Sequence, residues 1–429
     1  MNGLSRRSFL KLAGGAAAAA STLGFPVLPQ LMAQGQTTLI FPSWQQDEPG
    51  SGDWFRARIA DFQDSHPGVS VDFIKVALND HIQQLVTQFA AGAPPQIIHL
   101  PYRNYVEVAA QGFMEPLDPY LAETDVLENW LPFQQAAVID GQTYAIVLLG
   151  YGYGMMYNAA LFEEAGVAVP TTAEEFVQAA IALTKGPDQF GFGTTTVPGN
   201  NMANHIITFI SGAGGSVTTD GVPSVNTPEA IQGMQWWVDV VKAGATPTGL
   251  DTGQLRQLFQ QGKMGMYFDG PWGQGFINNA PEEVRPNLQV APMPFGGIVP
   301  GGISNVIGMA ADIPAEEKAL VWDFLASLTT PEAQADYTLK YCVAPARTDV
   351  EIPEEEVLAA CPLINTWLEA QNAPGLVDTY PFGLETVTSD LFNMLSETGQ
   401  ILVTSDATVE DEMNKLQDAL VALQAEAAS

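Results

Sequence analysis

Short apolar runs alternate with amphipathic stretches from Thr37 onward, and this alternation limits the fold more than any other feature of the chain. Residues 37–42 read as a strand, and 54–65 as a helix that stops at His66-Pro67-Gly68. Residues 69–74 alternate apolar and polar like a second strand. A helix over 80–91 carries Ile82, Leu85, Val86 and Phe89 on one face and ends at Gly92-Ala93-Pro94-Pro95. A third strand, 96–100, and a helix, 105–111, follow. Strands alternating with helices predict an α/β fold with a largely parallel sheet covered by helices. Strands at 144–149 and 154–157 flank a Gly-Tyr-rich crossing. Further helices are expected at 159–165, 172–183, 227–242, 254–261, 315–328, 385–396 and 409–427. The helix from Thr172 opens with Thr172-Ala173-Glu174-Glu175, the spacing of a capping box.

Residues 1–33 read as an export signal. Ser5-Arg6-Arg7-Ser8-Phe9-Leu10-Lys11 is a twin-arginine sequence, and an alanine-rich run through Ala20 follows it. That run is weakly apolar and broken by Gly14, Gly15 and Gly24, so a membrane span is not expected; cleavage is expected near Ala33. The twin-arginine route carries folded cargo, which predicts a periplasmic or extracellular destination. About 395 residues remain after the signal, more than a single core usually supports, and two lobes are expected.

The chain has 16 Lys+Arg against 48 Asp+Glu, a net charge of −32. A surface of that sign repels phosphate backbones and anionic lipid heads, so neither nucleic acid nor a membrane surface is expected as a partner. Cys342 and Cys361 lie 19 residues apart; outside the cytoplasm an even pair permits one disulfide, and the spacing alone leaves the pairing open. His66, His81, His99 and His205 show no paired ligand spacing, so no metal is expected. Gly150-Tyr151-Gly152-Tyr153-Gly154 lacks the helix and third glycine of a dinucleotide loop, and no Gly-x-Ser-x-Gly or phosphate-cradling motif occurs, so no cofactor and no enzymatic turnover are expected.

In open α/β sheets, ligand sites lie beyond the carboxyl ends of the strands. The segments at those positions are rich in aromatics and amides: Trp44-Gln45-Gln46, Tyr102-Arg103-Asn104, Tyr151-Gly152-Tyr153 and Gly270-Pro271-Trp272. A flat ring packs on the apolar face of a pyranose while amides and charged groups bond its hydroxyls, so these residue types suit a sugar. Trp236-Trp237, in contrast, sits among Ile231, Met234, Val238 and Val241 at helical spacing and is expected in the core.

Six blocks, taken in order, resemble the maltose-type branch of extracellular solute-binding proteins. They are the segments 112–118, 140–146, 155–175, 259–272, 290–294 and 343–347. The most specific are Met155-Met156-Tyr157-Asn158-Ala159-Ala160-Leu161-Phe162 with its following helix, and Phe259-Gln260-Gln261-Gly262-Lys263-Met264-Gly265-Met266-Tyr267-Phe268-Asp269-Gly270-Pro271-Trp272. Ala173 stands where the family usually has tryptophan. The resemblance implies a two-lobed periplasmic-binding-protein fold whose hinge has three crossings, near 150, 302–308 and 343–347, with the ligand cleft between lobes. The first lobe would take 36–150 and 303–345, the second 151–302 and 346–429. It further implies a sugar-stacking role for Trp272 and a polar pair at Tyr102 and Arg103.

The expected ligand contacts are therefore Trp44, Gln45, Gln46, Tyr102, Arg103, Tyr151, Tyr153 and Trp272, together with Asp269, Asn305, Arg347 and Phe382. Asn305 and Asp269 are equally explained by a local turn or cap, Arg347 by a hinge brace, and Phe382 offers a second stacking face. The implied protein is a monomer that binds a neutral sugar, oligosaccharide or polyol and hands it to an ABC transporter permease. An alternative keeps the fold but takes a cationic or zwitterionic solute such as a polyamine or betaine, with Asp269 beside Trp272 as the favouring feature. A secreted glycoside hydrolase is the remote alternative.

Overall fold

The computed structural model describes residues 37–428, and the twin-arginine segment and the rest of residues 1–33 lie outside it. β1 (Thr37–Ser43) pairs in parallel with β2 (Val69–Lys75) through the connecting α1 (Ser51–Ser65). α2 (His81–Ala90) buries Ile82 and Leu85. β3 (Ile97–Pro101), wholly buried, leads to α3 (Tyr105–Ala110), and β4 (Ile146–Gly152) runs towards the second lobe. These elements build the first lobe, whose core holds Leu39, Phe41, Trp54 and Phe55. The indole N–H of Trp54 donates to the carbonyl of Ala333 at 2.9 Å, so the largest ring of that core leaves no donor unpaired.

β5 (Gly154–Asn158) continues directly from β4 and starts the second lobe. α4 (Ala159–Ala165) is capped by the Asn158 side chain and closed by Gly166 at φ 65°. α5 (Ala173–Leu183) has the expected capping box between Thr172 and Glu175. β6 (Phe190–Gly193), α6 (Asn200–Gly212), α7 (Pro228–Lys242), α8 (Thr252–Gln260), β7 (Met264–Asp269), α9 (Gly273–Asn278) and β8 (Leu288–Ala291) follow. The sheet order is β8-β5-β7-β6. Phe176, Phe192, Phe209 and Phe268 interlock beneath it, with ring centroids 4.7–5.8 Å apart, and each such buried ring contributes about 1.5–3 kcal/mol. Trp237 is fully buried and donates to Thr194 Oγ1, a core role as its spacing predicts.

β9 (Val299–Met309) returns to the first lobe and lies antiparallel between β3 and β4. α10 (Ala315–Ser327) and α11 (Pro331–Tyr341) cover that lobe. After α12 (Glu354–Ala360) and α13 (Ile364–Gln371), β10 (Leu376–Asp378) pairs in parallel with the start of β9. α14 (Thr388–Thr404) and α15 (Val409–Ala427) finish the second lobe against α6 and α7.

Two features differ from the expectation. The sheets are mixed, since β3–β9, β4–β9, β5–β7 and β5–β8 are all antiparallel. β9 arrives from the other lobe rather than by a local helical crossover, so nothing forces it parallel. Residues 343–349 remain on the first lobe, because Leu131 N–H donates to Ala346 O and Thr348 N–H to Asn129 O. The last crossing therefore follows Asp349.

Cys342, at the end of α11, is bonded to Cys361, just past α12, with Cα atoms 5.3 Å apart. At the first two crossings β4 and β9 meet in register Gly152↔Gly301, Tyr151↔Gly302. A Cβ on Gly301 would stand 2.3 Å from the carbonyl oxygen of Tyr151, so this approach needs glycine. Among the described residues no helix is long and apolar enough to cross a membrane.

Candidate functional site

The carboxyl end of β1 turns sharply because Ser43 Oγ accepts the Gln45 backbone N–H, which starts a helical turn over Trp44–Asp47. Trp44 lies flat on the imidazole of His99, in the middle of β3, with centroids 4.4 Å apart and planes 15° apart. His99 is itself clamped. Its Nε2–H donates to Asn305 Oδ1 at 3.3 Å, and its Nδ1 accepts from Ser43 Oγ at 2.9 Å. Burial pulls His99 down to about 3, so the ring beneath Trp44 is neutral.

From the second lobe, the capping box between Asp251 and Gln254 fixes the start of α8 and thereby aims Arg256 at the end of β7. Arg256 grips Asp269 with two bonds of 2.8 Å. The same carboxylate accepts the Trp272 indole N–H and the Gly270 N–H, which holds the Gly270-Pro271-Trp272 turn in one shape. The remaining arm of Arg256 reaches Glu48 of the first lobe at 3.2 Å. Glu48 in turn accepts from the Tyr341 hydroxyl at 3.0 Å, and that hydroxyl accepts from Gln45 Nε2 at 2.9 Å. Burial raises the Glu48 carboxyl, with Arg256 acting against it. The chain of bonds also settles the Gln45 amide: its nitrogen is spent on Tyr341, and its Oε1 is buried without a partner.

Tyr151 and Tyr153 leave the first crossing together and complete the aromatic wall. Tyr151 stands edge-on to Trp272 at 5.0 Å and to Tyr153 at 4.9 Å. Asn204 of α6 donates to the Tyr153 hydroxyl at 2.9 Å. Arg103, after β3, spans the lobes to Asn201 Oδ1 at 3.4 Å and lies over the Phe392 ring at 5.9 Å. His205 is held neutral by burial, at about 3. Its Nδ1 accepts the Thr195 backbone N–H at 3.2 Å, which leaves Nε2 as its N–H donor.

These groups line a cavity of about 90 Å³ between the lobes. The lobes are shut around it. Besides Glu48–Arg256 and Arg103–Asn201, Asn79 Oδ1 accepts the Asn201 N–H at 3.3 Å, and Glu107 Oε2 accepts both the N–H and the hydroxyl of Ser389.

Of the residues singled out from sequence, Trp44, Gln45, Tyr102, Arg103, Tyr151, Tyr153, Asp269 and Trp272 line this one cavity. Four do not. Gln46 turns back to donate to the Phe73 carbonyl in β2. Asn305 lies behind the wall and orients His99. Arg347 spends all five N–H donors on Asp125, Asp349 and the Thr329 carbonyl, so it braces the first lobe and has none left for a solute. Phe382 is 51% exposed and packs edge-on to Tyr380 outside the cavity. Asp269 lines the cavity with both carboxylate oxygens taken, by Arg256, Trp272 and the Gly270 N–H.

Glu48, Asn204, His205, Arg256, Tyr341 and Tyr380 also line the cavity and escaped the sequence reading. Arg256 sits mid-helix, where a charge ordinarily faces water. α6 begins after Val197-Pro198-Gly199 with no Ser, Thr or Asp cap, Gly199 holding φ 134°, so its helical start carried no local signal.

Residues 46–335 match the family model described as bacterial extracellular solute-binding protein. The chain belongs to that family. A binding protein of Brucella abortus (strain 2308) is 26% identical over 299 residues, covering 67% of this chain and 71% of that one. Two solved structures share the fold. An ABC transporter solute-binding protein from Thermotoga lettingae TMO, bound with α-D-tagatose, superposes with a TM-score of 0.79 at 20% identity over 91% of this chain and 100% of that one. UgpB from Mycobacterium tuberculosis, in complex with glycerophosphocholine, gives 0.78 at 18% identity over 92% and 100%.

Proposed function

We propose that this protein is the substrate-binding component of an ABC importer, exported by the twin-arginine route, and that it captures a neutral sugar or polyol without turning it over. One observation carries the reading: Trp44 from the first lobe, Tyr151 from the crossing and Trp272 from the second lobe line a single cavity. Aromatic faces joined by amide, hydroxyl and guanidinium groups are the chemistry that holds a hydroxyl-rich ring. Trp44, Gln45, Tyr102, Arg103, Tyr151, Tyr153 and Trp272 are the proposed contacts. Closure of the two lobes on the solute is the signal a membrane permease would read.

The similar structures were solved with a ketose in one case and a zwitterionic phosphodiester in the other, so the fold leaves the solute class open. The ion pairs inside the cavity favour the neutral one. A cation would need a free carboxylate; Asp269 and Glu48 already accept from Arg256, and Asp378, the third carboxyl lining the cavity, accepts the Tyr380 backbone N–H and is pushed by burial towards its neutral form. The test is calorimetry of the purified mature protein against neutral sugars and polyols, polyamines and betaine. Saturable binding of a neutral carbohydrate, recovered chemically intact after incubation, is expected. Binding of a polyamine or betaine with no response to any carbohydrate would overturn the assignment.

A further inference from the structure

The first crossing presents two unlike faces. Along Gly150-Tyr151-Gly152-Tyr153-Gly154 the tyrosines line the cavity, and Gly152 and Gly154 lie against α13. A Cβ on Gly152 would stand 2.3 Å from the Ala370 carbonyl oxygen, and one on Gly154 2.8 Å from the Trp367 ring. The helix therefore rests on bare backbone, which only glycine leaves open. Trp367 continues into the second lobe, where it is buried with Met156, Leu255 and Phe259. Beyond α13 the chain enters β10, which pairs with the start of β9 at the second crossing.

The bond between Cys342 and Cys361 reaches this same helix from the other lobe. Cys342 ends α11, which packs on α1 of the first lobe through Tyr337 and Trp54, with ring centroids 4.5 Å apart. Only Pro362 and Leu363 separate Cys361 from α13. Thr348 is held to Asn129 of the first lobe, and the backbone from there to Ile364 could stretch to about 50 Å. Measured from Cys361, the reach to Ile364 falls to about 10 Å.

From this placement we infer that the disulfide is a strap across the third crossing: it takes residues 350–360 out of the hinge and, acting through α13, limits how far the two lobes open. The inference concerns the motion of the lobes and goes beyond the choice of solute. A hinge turns by changing φ and ψ at a few residues. With the bond in place this crossing has Pro362 and Leu363 for that purpose, and proline fixes its own φ. Asn278 of α9, in the second lobe, donates to the Ala360 carbonyl at 3.2 Å, so the strapped end meets the second lobe while the lobes are shut. Slack in the tether would add freedom to the open form and little to the shut one, and so favour opening.

Amide hydrogen exchange of the solute-free protein tests this. The backbone N–H groups of Asn201 and Ser389 lie in the first turns of α6 and α14, where a helix supplies no backbone acceptor. They donate instead to Asn79 and Glu107 of the first lobe, so their protection reports closure. Two variants loosen the tether by independent means. Cys342→Ala with Cys361→Ala removes the strap, and a Gly-Ser-Gly-Ser insertion between Pro362 and Leu363 keeps the bond and adds slack beyond it. In both, peptides carrying Asn201 and Ser389 are expected to exchange about threefold faster or more, over a labelling time in which β4 stays protected. The insertion variant decides the matter, because it retains the contribution of the bond to folding. Parent-like exchange at both amides in that variant overturns the inference, and a faster rate confined to the double-alanine protein would assign the bond to fold stability alone.

Discussion

Arg256 holds Asp269 by two parallel bonds of 2.8 Å, and the carboxylate so fixed is the one that anchors the indole of Trp272. The arginine comes from a helix and the aspartate from the end of a strand, so one ion pair ties the shape of the aromatic wall to the packing of the second lobe. Both side chains are largely buried, at 11% and 3% exposed. Breaking one partner of such a pair costs about 3–5 kcal/mol where the other charge is left without compensation, and Glu48, still bonded to Arg256, keeps the loss below that range. Asp269→Asn is therefore expected to lower the denaturation midpoint markedly and to weaken carbohydrate binding through a loosened Trp272. Urea unfolding and calorimetry check both effects. Stability and affinity equal to the parent protein would contradict the role given to the pair.

Trp272→Ala and Trp44→Ala remove opposite faces of the proposed sugar clamp. Each is expected to cost about 2 kcal/mol of binding, or roughly thirtyfold in Kd. Phe382→Ala lies outside the cavity and is expected to leave Kd within about twofold. Fluorescence or calorimetric titration of the three variants separates the predictions.

The bond between Cys342 and Cys361 ties the end of α11 to the end of α12 across a sequence separation of 19. Its removal by the double change to alanine is expected to cost about 3 kcal/mol and to lower the Tm by several degrees. Differential scanning calorimetry measures the change. A Tm independent of reductant would argue against the bond in the folded protein.

His99 introduces a pH dependence whose sign is fixed by its burial. Its folded pKa, about 3, lies below the ordinary value of 6.5. Below pH 6.5 the unfolded chain takes up a proton that the folded one refuses, so stability falls with pH by about 1.4 kcal/mol per unit until about pH 3. His81 is shifted in the same direction by burial. Glu48 and Glu107 are shifted upward, so their protonation favours the folded state as pH falls and partly offsets the loss. Between pH 6.5 and 4.5 the melting temperature is expected to drop, and in His99→Gln to drop less steeply. Equal slopes would show that His99 is not held neutral.

The aromatic half of the cavity could be read directly from residue order. Trp44, Tyr102, Tyr151 and Trp272 each follow a strand that the apolar pattern locates, and α/β architecture sends such positions to a common crevice. The polar half could not, because its members are defined by partners far away in sequence. Arg256 and Glu48 are 208 positions apart, and Gln45 and Tyr341 are 296 apart. Asn305 and Arg347 show the converse. Each is a polar residue near a crossing, as a ligand contact would be, yet their hydrogen bonds are all used within the first lobe. The antiparallel course of β9 was hidden for a related reason, since register across a lobe boundary leaves no local pattern.

Glu107 and Ser389 join the two lobes and neither lines the cavity: the carboxylate sits at the first turn of α14, where it accepts both the backbone N–H and the hydroxyl of Ser389. A clasp of this kind rewards shutting whether or not anything has been caught. In the role proposed above, it would raise the share of empty molecules in the shut form that a transporter has to tell from loaded ones. The same clasp lowers the work a guest has to do, since a state already partly populated is easier to fill. Tightening the clasp would therefore trade faithful reporting for stronger capture, and this carboxylate acts on that balance alongside the Glu48–Arg256, Arg103–Asn201 and Asn79–Asn201 contacts.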